Sequence, residues 1–187
     1  DDNYLIKSYK DFKEASSKPN NKYKLETDLD FSSNKYYMLG SSYNTFSGTL
    51  NGNDKLISNV EINGNKVDYL GMIGYVNCGT IYGLNVKNIE INGYDNVGMF
   101  GYAKGTNATN RANIYAVRMV NEINSEGNPK VSITGNTSVG GLVGYTGPYI
   151  TIKEIELDNI KIHGSSSSVG GLTGYLENDT TSIKVNN

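Results

Sequence analysis

The five-residue pattern Gly-x-x-Gly-Tyr occurs four times in this chain, and this repetition constrains the fold more than any other feature. The second glycine of each copy stands at position 74, 101, 144 or 174, so the intervals are 27, 43 and 30 residues. We interpret the middle interval as the same period with an insertion. The repeat residues are Gly71, Gly74 and Tyr75; Gly98, Gly101 and Tyr102; Gly141, Gly144 and Tyr145; and Gly171, Gly174 and Tyr175.

The segments between these copies repeat as well. Aliphatic residues alternate with polar ones in each segment, which is the period of a half-buried strand. At an offset of 71 residues the run Ile81, Leu84, Val86, Ile89, Ile91, Gly93 matches Ile152, Ile155, Leu157, Ile160, Ile162, Gly164. A third run begins at Ile114, Val117, Met119, is interrupted over residues 121–130, and resumes at Val131, Ile133, Gly135. A half run, Val60, Ile62, Gly64, precedes the first copy.

Short strands that recur at a near-constant period predict an all-β fold, a right-handed parallel β-helix in which successive turns of the chain stack equivalent aliphatic positions. We expect corners with positive φ at Asn63-Gly64, Asn92-Gly93 and His163-Gly164. We expect the two middle residues of each Gly-x-x-Gly to point alternately in and out, and the tyrosines to stack. Four tight glycine turns in a β-sandwich are the alternative, but a sandwich gives no reason for the aliphatic runs to repeat in register.

Residues 1–45 lack the repeat and are predicted to form an N-terminal cap over the exposed edge of the first turn. The expected elements are a strand at residues 4–6, a short helix at 9–16 with Ser8 as its N-cap, and strands at 23–25 and 28–31. Residues 46–187 are assigned to the β-helix. Residues 182–185 read as the opening strand of another repeat, so we expect the array to be truncated at its C-terminal end.

Particular segments resemble a known family. Residues 46–53, Phe-Ser-Gly-Thr-Leu-Asn-Gly-Asn, followed by Leu56-Ile-Ser-Asn-Val60, resemble the opening of GLUG-repeat β-solenoids, and Val139–Tyr145 and Val169–Tyr175 are similar to the core of that repeat. The lead-in, with its helix and the strand-like run at 23–31, is similar to the amino-terminal region of bacterial surface zinc metallopeptidases that include the immunoglobulin-A-cleaving enzymes. The resemblance covers residue 4 to the C-terminus.

This resemblance implies a non-catalytic module placed ahead of a catalytic domain that the chain does not contain. It implies export, to the extracellular medium or the cell wall, and zinc bound only in that absent domain. The leading hypothesis is a substrate-recognition or spacer module of an exported zinc metallopeptidase that cleaves host immunoglobulin or mucin-like glycoproteins. An adhesin without a protease is the second hypothesis, and a carbohydrate-active β-helix is the third.

The composition removes several kinds of chemistry from this chain. Zinc proteolysis needs two histidines on one helix face and a carboxylate base, and the chain has only His163, which we expect at a surface corner. Cys78 is the only cysteine, so no internal disulfide can form, and we expect a small buried side chain rather than a nucleophile. We therefore predict no catalytic residue, no metal site and no cofactor.

The charges argue against other functions. A net charge of −2 gives no basis for nucleic-acid binding, and no apolar stretch approaches the roughly 18 residues of a membrane helix. We expect no membrane insertion and a monomer. Polysaccharide cleavage needs clustered carboxylates, whereas equivalent positions such as Lys87 and Asp158 carry opposite charges, which leaves Asp68 and Asp95 as a weak pair. The sequons at Asn107, Asn136 and Asn178 are formal glycan acceptors that we expect to be empty in a bacterial chain.

Two loops interrupt the repeat and are the candidate recognition elements. Insertions in repeat arrays project from one face, which is often the binding face. We hypothesise that residues 102–111 and 121–130 form one surface that contacts a host protein or glycan, against the alternative that both are ordinary surface loops. The candidate contact residues are Lys104, Asn107, Arg111, Glu126 and Asn128.

Overall fold

The computed structural model describes residues 3–130, 132–177 and 182–183, the last two by their backbone. Over these residues the protein is predominantly β, with one short helix, and every pair of strands is parallel. This arrangement is consistent with a β-helix. No helix among the described residues is long and apolar enough to cross a membrane.

The largest sheet has eleven strands within the described residues, and its main path runs β1-β2-β4-β7-β9-β13-β17. Strand β5 also pairs with β3 and β7, and β10 also pairs with β7 and β14. The strands are β1 (Tyr4–Ile6), β2 (Lys22–Leu25), β3 (Leu29–Asp30), β4 (Thr49–Asn51), β5 (Leu56–Asn63), β7 (Thr80–Asn92), β9 (Ala112–Val120), β10 (Ser132–Gly135), β13 (Ile150–Asp158), β14 (Lys161–Gly164) and β17 (Ser182–Ile183).

Two smaller sheets contain the Gly-x-x-Gly-Tyr segments. One has the strand order β16-β12-β8-β6 and the other is the pair β11-β15. Their strands are β6 (Ile73–Asn77), β8 (Phe100–Lys104), β11 (Val139–Gly140), β12 (Val143–Thr146), β15 (Val169–Gly170) and β16 (Thr173–Leu176).

The pairing register is the one that the aliphatic repeat predicts. Ile81 pairs with Ile114, and Ile114 pairs with Ile152, all buried. Ile91 and Ile162 lie in one sheet, on either side of Ile133 in β10. Equivalent side chains therefore stack on one another across neighbouring strands and form a continuous apolar core. Val131, which belongs to the predicted third run, lies outside the described residues.

The corners differ from the prediction. None of Gly64, Gly93 and Gly164 has a positive φ; instead, a methyl group on Gly64 or Gly93 would meet the Leu70 side chain at 2.9 or 3.0 Å. These glycines serve close packing. Positive φ falls inside the long strands and recurs in register, as at Gly83, Ala116 and Glu154. A single left-handed residue is enough to bend each strand there.

The expected in-and-out alternation within Gly-x-x-Gly is wrong. Met99 and Phe100 are both fully buried, as are Leu142 and Val143. The chain bends between β11 and β12, so the strand alternation does not carry through the two middle residues. The flanking glycines pack against backbone, since a Cβ on Gly101 would lie 2.5 Å from the carbonyl carbon of Tyr69.

The predicted N-terminal helix is confirmed as α1 (Tyr9–Ser16), with Ser8 as its N-cap. The Ser8 side chain accepts a hydrogen bond from the Asp11 amide at 3.2 Å, and the Asp11 carboxylate accepts from the Lys7 amide and the Ser8 hydroxyl. These hydrogen bonds, chiefly the one from Lys7, lower the pKa of Asp11. The helix buries Phe12 and Ala15, and the Phe12 ring packs against the Phe31 ring at 5.4 Å.

Candidate functional site

A polar groove of about 750 Å³ lies on the outer surface of β5 and β7. Three parts of the chain line it: the loop at residues 31–36, residues of the two strands, of which Glu61 and Glu90 are exposed, and Glu122 and Lys130 at the two ends of the insertion. Glu61 and Glu90 pair in register within it and have no ion-pair partner among the described residues. Carboxylates and amides in such a groove can accept and donate hydrogen bonds to a polar ligand.

A row of asparagine side chains orders this groove. The Asn88 Nδ2 donates to Asn59 Oδ1 at 3.1 Å, and the Asn59 Nδ2 donates to Asp30 Oδ1 at 2.8 Å. At the other end the Glu122 amide donates to Asn88 Oδ1 at 2.9 Å. The hydrogen bond from Asn59 is the main reason that the pKa of Asp30 is lowered. Asn59 and Asn88 both have positive φ, a conformation that asparagine tolerates better than most residues.

Residues 121–130 form a hairpin that is tied back to the strands at its base. The Glu122 carboxylate accepts from Lys130 Nζ at 2.6 Å and lies 2.7 Å from Lys87 Nζ. These two ammonium groups, Lys130 first, lower the pKa of Glu122 to about 2. An antiparallel bridge between Ile123 and Pro129 closes the hairpin, and its exposed tip contains two of the predicted contact residues, Glu126 and Asn128.

Asn121 explains how the insertion is accommodated. Its side chain is 2% exposed, and its Oδ1 accepts from the Ile89 amide at 3.2 Å while its Nδ2 donates to the Asn159 carbonyl at 3.3 Å. The side chain thus satisfies a backbone amide of β7 and the backbone carbonyl that directly follows β13, at the point where the chain leaves the sheet. Sequence reasoning identified the interruption but not this role. The only signal was an asparagine at the point where the aliphatic alternation stops.

Of the other predicted contact residues, Asn107 and Arg111 lie in the loop at residues 105–111, and Lys104 is the last residue of β8. Arg111 donates from Nε to Thr151 Oγ1 at 2.9 Å and from a terminal nitrogen to the Ile150 carbonyl at 2.7 Å, so its guanidinium links the loop to β13. Lys104 accepts a hydrogen bond from the Cys78 amide through its carbonyl. Residues 106–110, including Asn107, are all exposed.

The structure does not bring the two loops together. The loop at 105–111 precedes β9, and the hairpin at 121–130 follows it. The nine residues of β9, which bends at Ala116, separate the bases of the two loops. The first loop contacts Cys78 and β13, whereas the second contacts Lys87, Asn88 and Ile89. The groove therefore adjoins the hairpin alone.

A second polar row lies in the turns before the Gly-x-x-Gly-Tyr segments. The Asp95 amide donates to Asp68 Oδ1 at 3.2 Å, and the Asp95 carboxylate accepts from the hydroxyl and amide of Thr137 and from Asn136 Nδ2. Burial acts to raise the pKa of Asp95, but the hydrogen bonds from Thr137 and Asn136 outweigh it and the pKa is lowered. Asp68 and Asp95 thus take part in a hydrogen-bonded row that joins successive turns.

His163 and Cys78 occupy surface positions. His163 is exposed as expected, but it lies within β14 rather than at a corner. Cys78 is only partly buried, which corrects the expectation of a buried side chain; its Sγ lies 3.5 Å from the Asn110 carbonyl and 3.6 Å from Thr106 Oγ1. Among the described residues no group of three or more His, Cys, Asp and Glu side chains is placed to hold a metal ion.

The tyrosines of the repeat stack as predicted. Ring centroids are 4.6 Å apart between Tyr75 and Tyr102, 5.0 Å between Tyr102 and Tyr145, and 4.7 Å between Tyr145 and Tyr175, with interplanar angles of 16° to 26°. The ring faces are used within the stack, so the column presents ring edges and hydroxyls to its surroundings.

Comparison with known proteins gives two matches. The fold is similar to that of a "putative immunoglobulin A1 protease" from Bacteroides ovatus, with a TM-score of 0.62 and 16% identity over 97% of this chain and 64% of that one. A segment of 100 residues, 53% of this chain, is 35% identical to halomucin of Haloquadratum walsbyi. No family model matches the sequence. The chain spans just under two thirds of the Bacteroides chain and 1% of halomucin.

Proposed function

We propose that this chain is a right-handed parallel β-helix that serves as a non-catalytic recognition or spacer module of an exported bacterial zinc metallopeptidase acting on host glycoproteins. The observation that carries the proposal is the fold shared with the Bacteroides ovatus protein over 97% of this chain. The parallel register of equivalent aliphatic residues supports the β-helix. The match to part of longer proteins supports a module.

The groove and the adjoining hairpin are the surface that we propose contacts the partner. The groove has room for a polar ligand and displays Glu61 and Glu90, which have no ion-pair partner in the part of the chain that the structure describes. The hairpin base lines the groove, and the ion pairs of Glu122 anchor this base without using Glu126 or Asn128 of the exposed tip. A partner can therefore engage the tip without disturbing the core.

A binding experiment with two matched loop variants tests this proposal. Immobilised chain is exposed to immunoglobulin A1, to mucin, to their deglycosylated forms and to albumin, and binding is measured by interferometry. One variant replaces residues 124–128 with an Asn-Gly turn, which keeps Asn121, Glu122 and the bridge from Ile123 to Pro129. The control variant shortens the equally exposed residues 106–110 and keeps Arg111.

We expect the hairpin variant to weaken glycoprotein binding about tenfold or more, as the loss of one central contact does, and the control variant to bind as the intact chain does. Equal binding by all three would remove the hairpin from the recognition surface. Binding to none of the glycoproteins would leave only the spacer role. Chelator-sensitive cleavage of a glycoprotein by this chain alone would contradict a non-catalytic module.

A surface adhesin is the second candidate, favoured by the 100-residue similarity to halomucin. The two candidates differ in the polypeptide to which the module belongs. A helix with the H-E-x-x-H pattern encoded further along the same gene would support the peptidase. Further repeats followed by a wall-anchor signal would support the adhesin.

A further inference from the structure

Two of the three Asn-x-Ser/Thr sequons lie in the described part of the chain, and their asparagine side chains differ in exposure and hydrogen bonding. Asn107 begins the sequence Asn-Ala-Thr in the exposed loop at residues 105–111, and Asn136 begins Asn-Thr-Ser in the turn after β10. The third, at Asn178, lies outside the described residues. Glycan transfer requires a free side-chain amide nitrogen on an accessible surface segment, so the two described sites can be compared directly.

The Asn107 side chain makes its hydrogen bonds to the described residues through its oxygen. Its Oδ1 accepts three hydrogen bonds, from the Thr109 hydroxyl at 2.9 Å, the Thr109 amide at 3.0 Å and the Asn110 amide at 2.8 Å. Its Nδ2 has no hydrogen-bond partner in the part of the chain that the structure describes. Donors on the oxygen draw electron density from the carboxamide and make its N–H a better acid. The hydroxyl that defines the sequon is one of those donors.

The loop that contains Asn107 is exposed along residues 106–110 and is fixed to the rest of the fold at its two ends. Residues 106–110 are all exposed, and the loop is closed by the Thr106 amide donating to the Asn110 carbonyl at 2.9 Å. Its two ends are fixed by the Gly105 amide, which donates to the Pro148 carbonyl, and by the contacts of Arg111 to β13. An attached sugar chain would therefore extend into solvent and leave the core packing unchanged.

Both polar atoms of the Asn136 side chain are hydrogen-bonded. Its Nδ2 donates to the Asp95 carboxylate at 3.0 Å, and its Oδ1 accepts from the Ser165 hydroxyl at 3.0 Å. It is partly buried within the row that joins Asp68, Asp95 and Ser165. Before Asn136 could react, its hydrogen bond to the Asp95 carboxylate would have to break. This requirement lowers the fraction of molecules with a free Asn136 side chain by about tenfold or more.

Against the expectation from the sequence that all three sequons are empty, the exposed and hydrogen-bonded geometry of the loop leads us to propose that Asn107 is an N-glycosylation site of this protein and that Asn136 is not. The substrate class is an oligosaccharide carried on a lipid pyrophosphate, transferred by an oligosaccharyltransferase. The Nδ2 of Asn107 forms a bond to the anomeric carbon, the bond from that carbon to the pyrophosphate oxygen breaks, and the lipid pyrophosphate leaves with its electron pair. One Nδ2 proton passes to a carboxylate of the transferase. The inference rests on the exported location contained in the proposed function.

The test is transfer onto the folded chain in vitro. The purified protein is incubated with a single-subunit oligosaccharyltransferase that reads Asn-x-Ser/Thr and with a lipid-pyrophosphate-linked chitobiose donor, and occupancy at each site is mapped by peptide mass. The same reaction is run on urea-unfolded, diluted chain. Variants Asn107→Gln, Thr109→Ala, Thr109→Ser and Asn136→Gln are run in parallel.

We expect initial modification of folded chain to be about tenfold or more faster at Asn107 than at Asn136, and the ratio to fall toward one in unfolded chain. Asn107→Gln and Thr109→Ala should abolish the Asn107 product, while Thr109→Ser and Asn136→Gln should keep it. Comparable rates at the two sites of the folded chain, or no product at Asn107, would overturn the proposal. Glycoprotein binding by Asn107→Gln, measured separately, reports on the proposed function and not on this site.

Discussion

The variants Gly141→Ala and Gly171→Ala each add a methyl group, at equivalent positions of neighbouring repeats. We expect the first to lower the stability of the fold and the second to raise it. The preceding residues pair in register, Val139 with Val169 and Gly140 with Gly170. A Cβ on Gly141 would lie 2.2 Å from the Gly171 carbonyl oxygen, whereas a Cβ on Gly171 would meet no atom of the described residues within 4 Å. Neither glycine has a φ in the left-handed region, so backbone strain does not separate them.

The distance from the added Cβ to the Gly171 carbonyl oxygen determines the size of the expected change in the free energy of unfolding. Real Cβ atoms essentially never approach closer than 3.0 Å, so Gly141→Ala forces a shift of at least 0.8 Å between paired backbones. Overpacking of this kind costs about 1–3 kcal/mol. Gly171→Ala should instead stabilise by about 0.4–1 kcal/mol, because it restricts the unfolded chain. The variants should therefore differ by about 1.5–4 kcal/mol, which for this chain length corresponds to roughly 3–16 °C in Tm.

Urea and thermal unfolding measured by far-UV circular dichroism and by tyrosine fluorescence give the comparison. Coincident transitions in the two signals establish that unfolding is two-state and that the free energies can be compared. A Tm for Gly141→Ala equal to or above that of Gly171→Ala would refute the reasoning. The backbones of neighbouring repeats would then not be in the close contact that the glycines allow.

Three further perturbations have defined outcomes. Lysine contacts hold the folded pKa of Glu122 at about 2, below its ordinary 4.5, so its stabilising contribution is complete above about pH 4.5 and is lost as the pH falls through 2. Amide protection factors across residues 122–130, which correct for the intrinsic pH dependence of exchange, should fall over this range, and an equal fall in Glu122→Gln would contradict the assignment. Tyr102→Ala should cost about 1–3 kcal/mol in urea unfolding beyond lost burial, since the ring stacks on both neighbours, whereas Tyr102→Phe should be close to wild type; equal losses would deny the stacking a role. Asn121→Ala should lower stability by about 1–3 kcal/mol because the Ile89 amide loses its partner, while the exposed Asn128→Ala should be neutral in the same melt, and equal effects would count against the bridge.

The sequence predicted the pairing register because burial leaves a pattern in it. Ile81, Ile114 and Ile152 are all fully or almost fully buried, and each must point inward for the strands to stack. The helix was equally readable, since Ser8 is a capping residue that precedes the helical segment. Both predictions rest on residue types that only one environment suits.

The corners could not be predicted in the same way. Positive φ occurs at Ala116 and Glu154, which have no special preference for that region, so the bend at those positions comes from the neighbouring strands. Gly64 and Gly93, which looked like corner glycines, are instead required by the side chains packed against them. A glycine in a sequence does not say which of these two roles it has.

The candidate site also has parts that could be predicted from the sequence and parts that could not. The interruption at residues 121–130 was visible as a break in the period, and it does form a projecting hairpin. The groove beside it was not visible, because it combines the loop at 31–36 with strands that lie much later in the chain. Arg111 was predicted as a contact residue from its charge, yet its guanidinium hydrogen-bonds to β13, a partner about 40 residues away in sequence.

The side chain of Asn121 also bears on how new loops can arise in this architecture. The Asn121 side chain hydrogen-bonds to the backbone on both sides of the point where the hairpin leaves the sheet. The strand pairing there therefore does not depend on the sequence of the hairpin. Segments of different length and chemistry can therefore be exchanged between Ile123 and Pro129 at little cost to folding. The same position offers an engineer a place to graft a foreign peptide onto a rigid support.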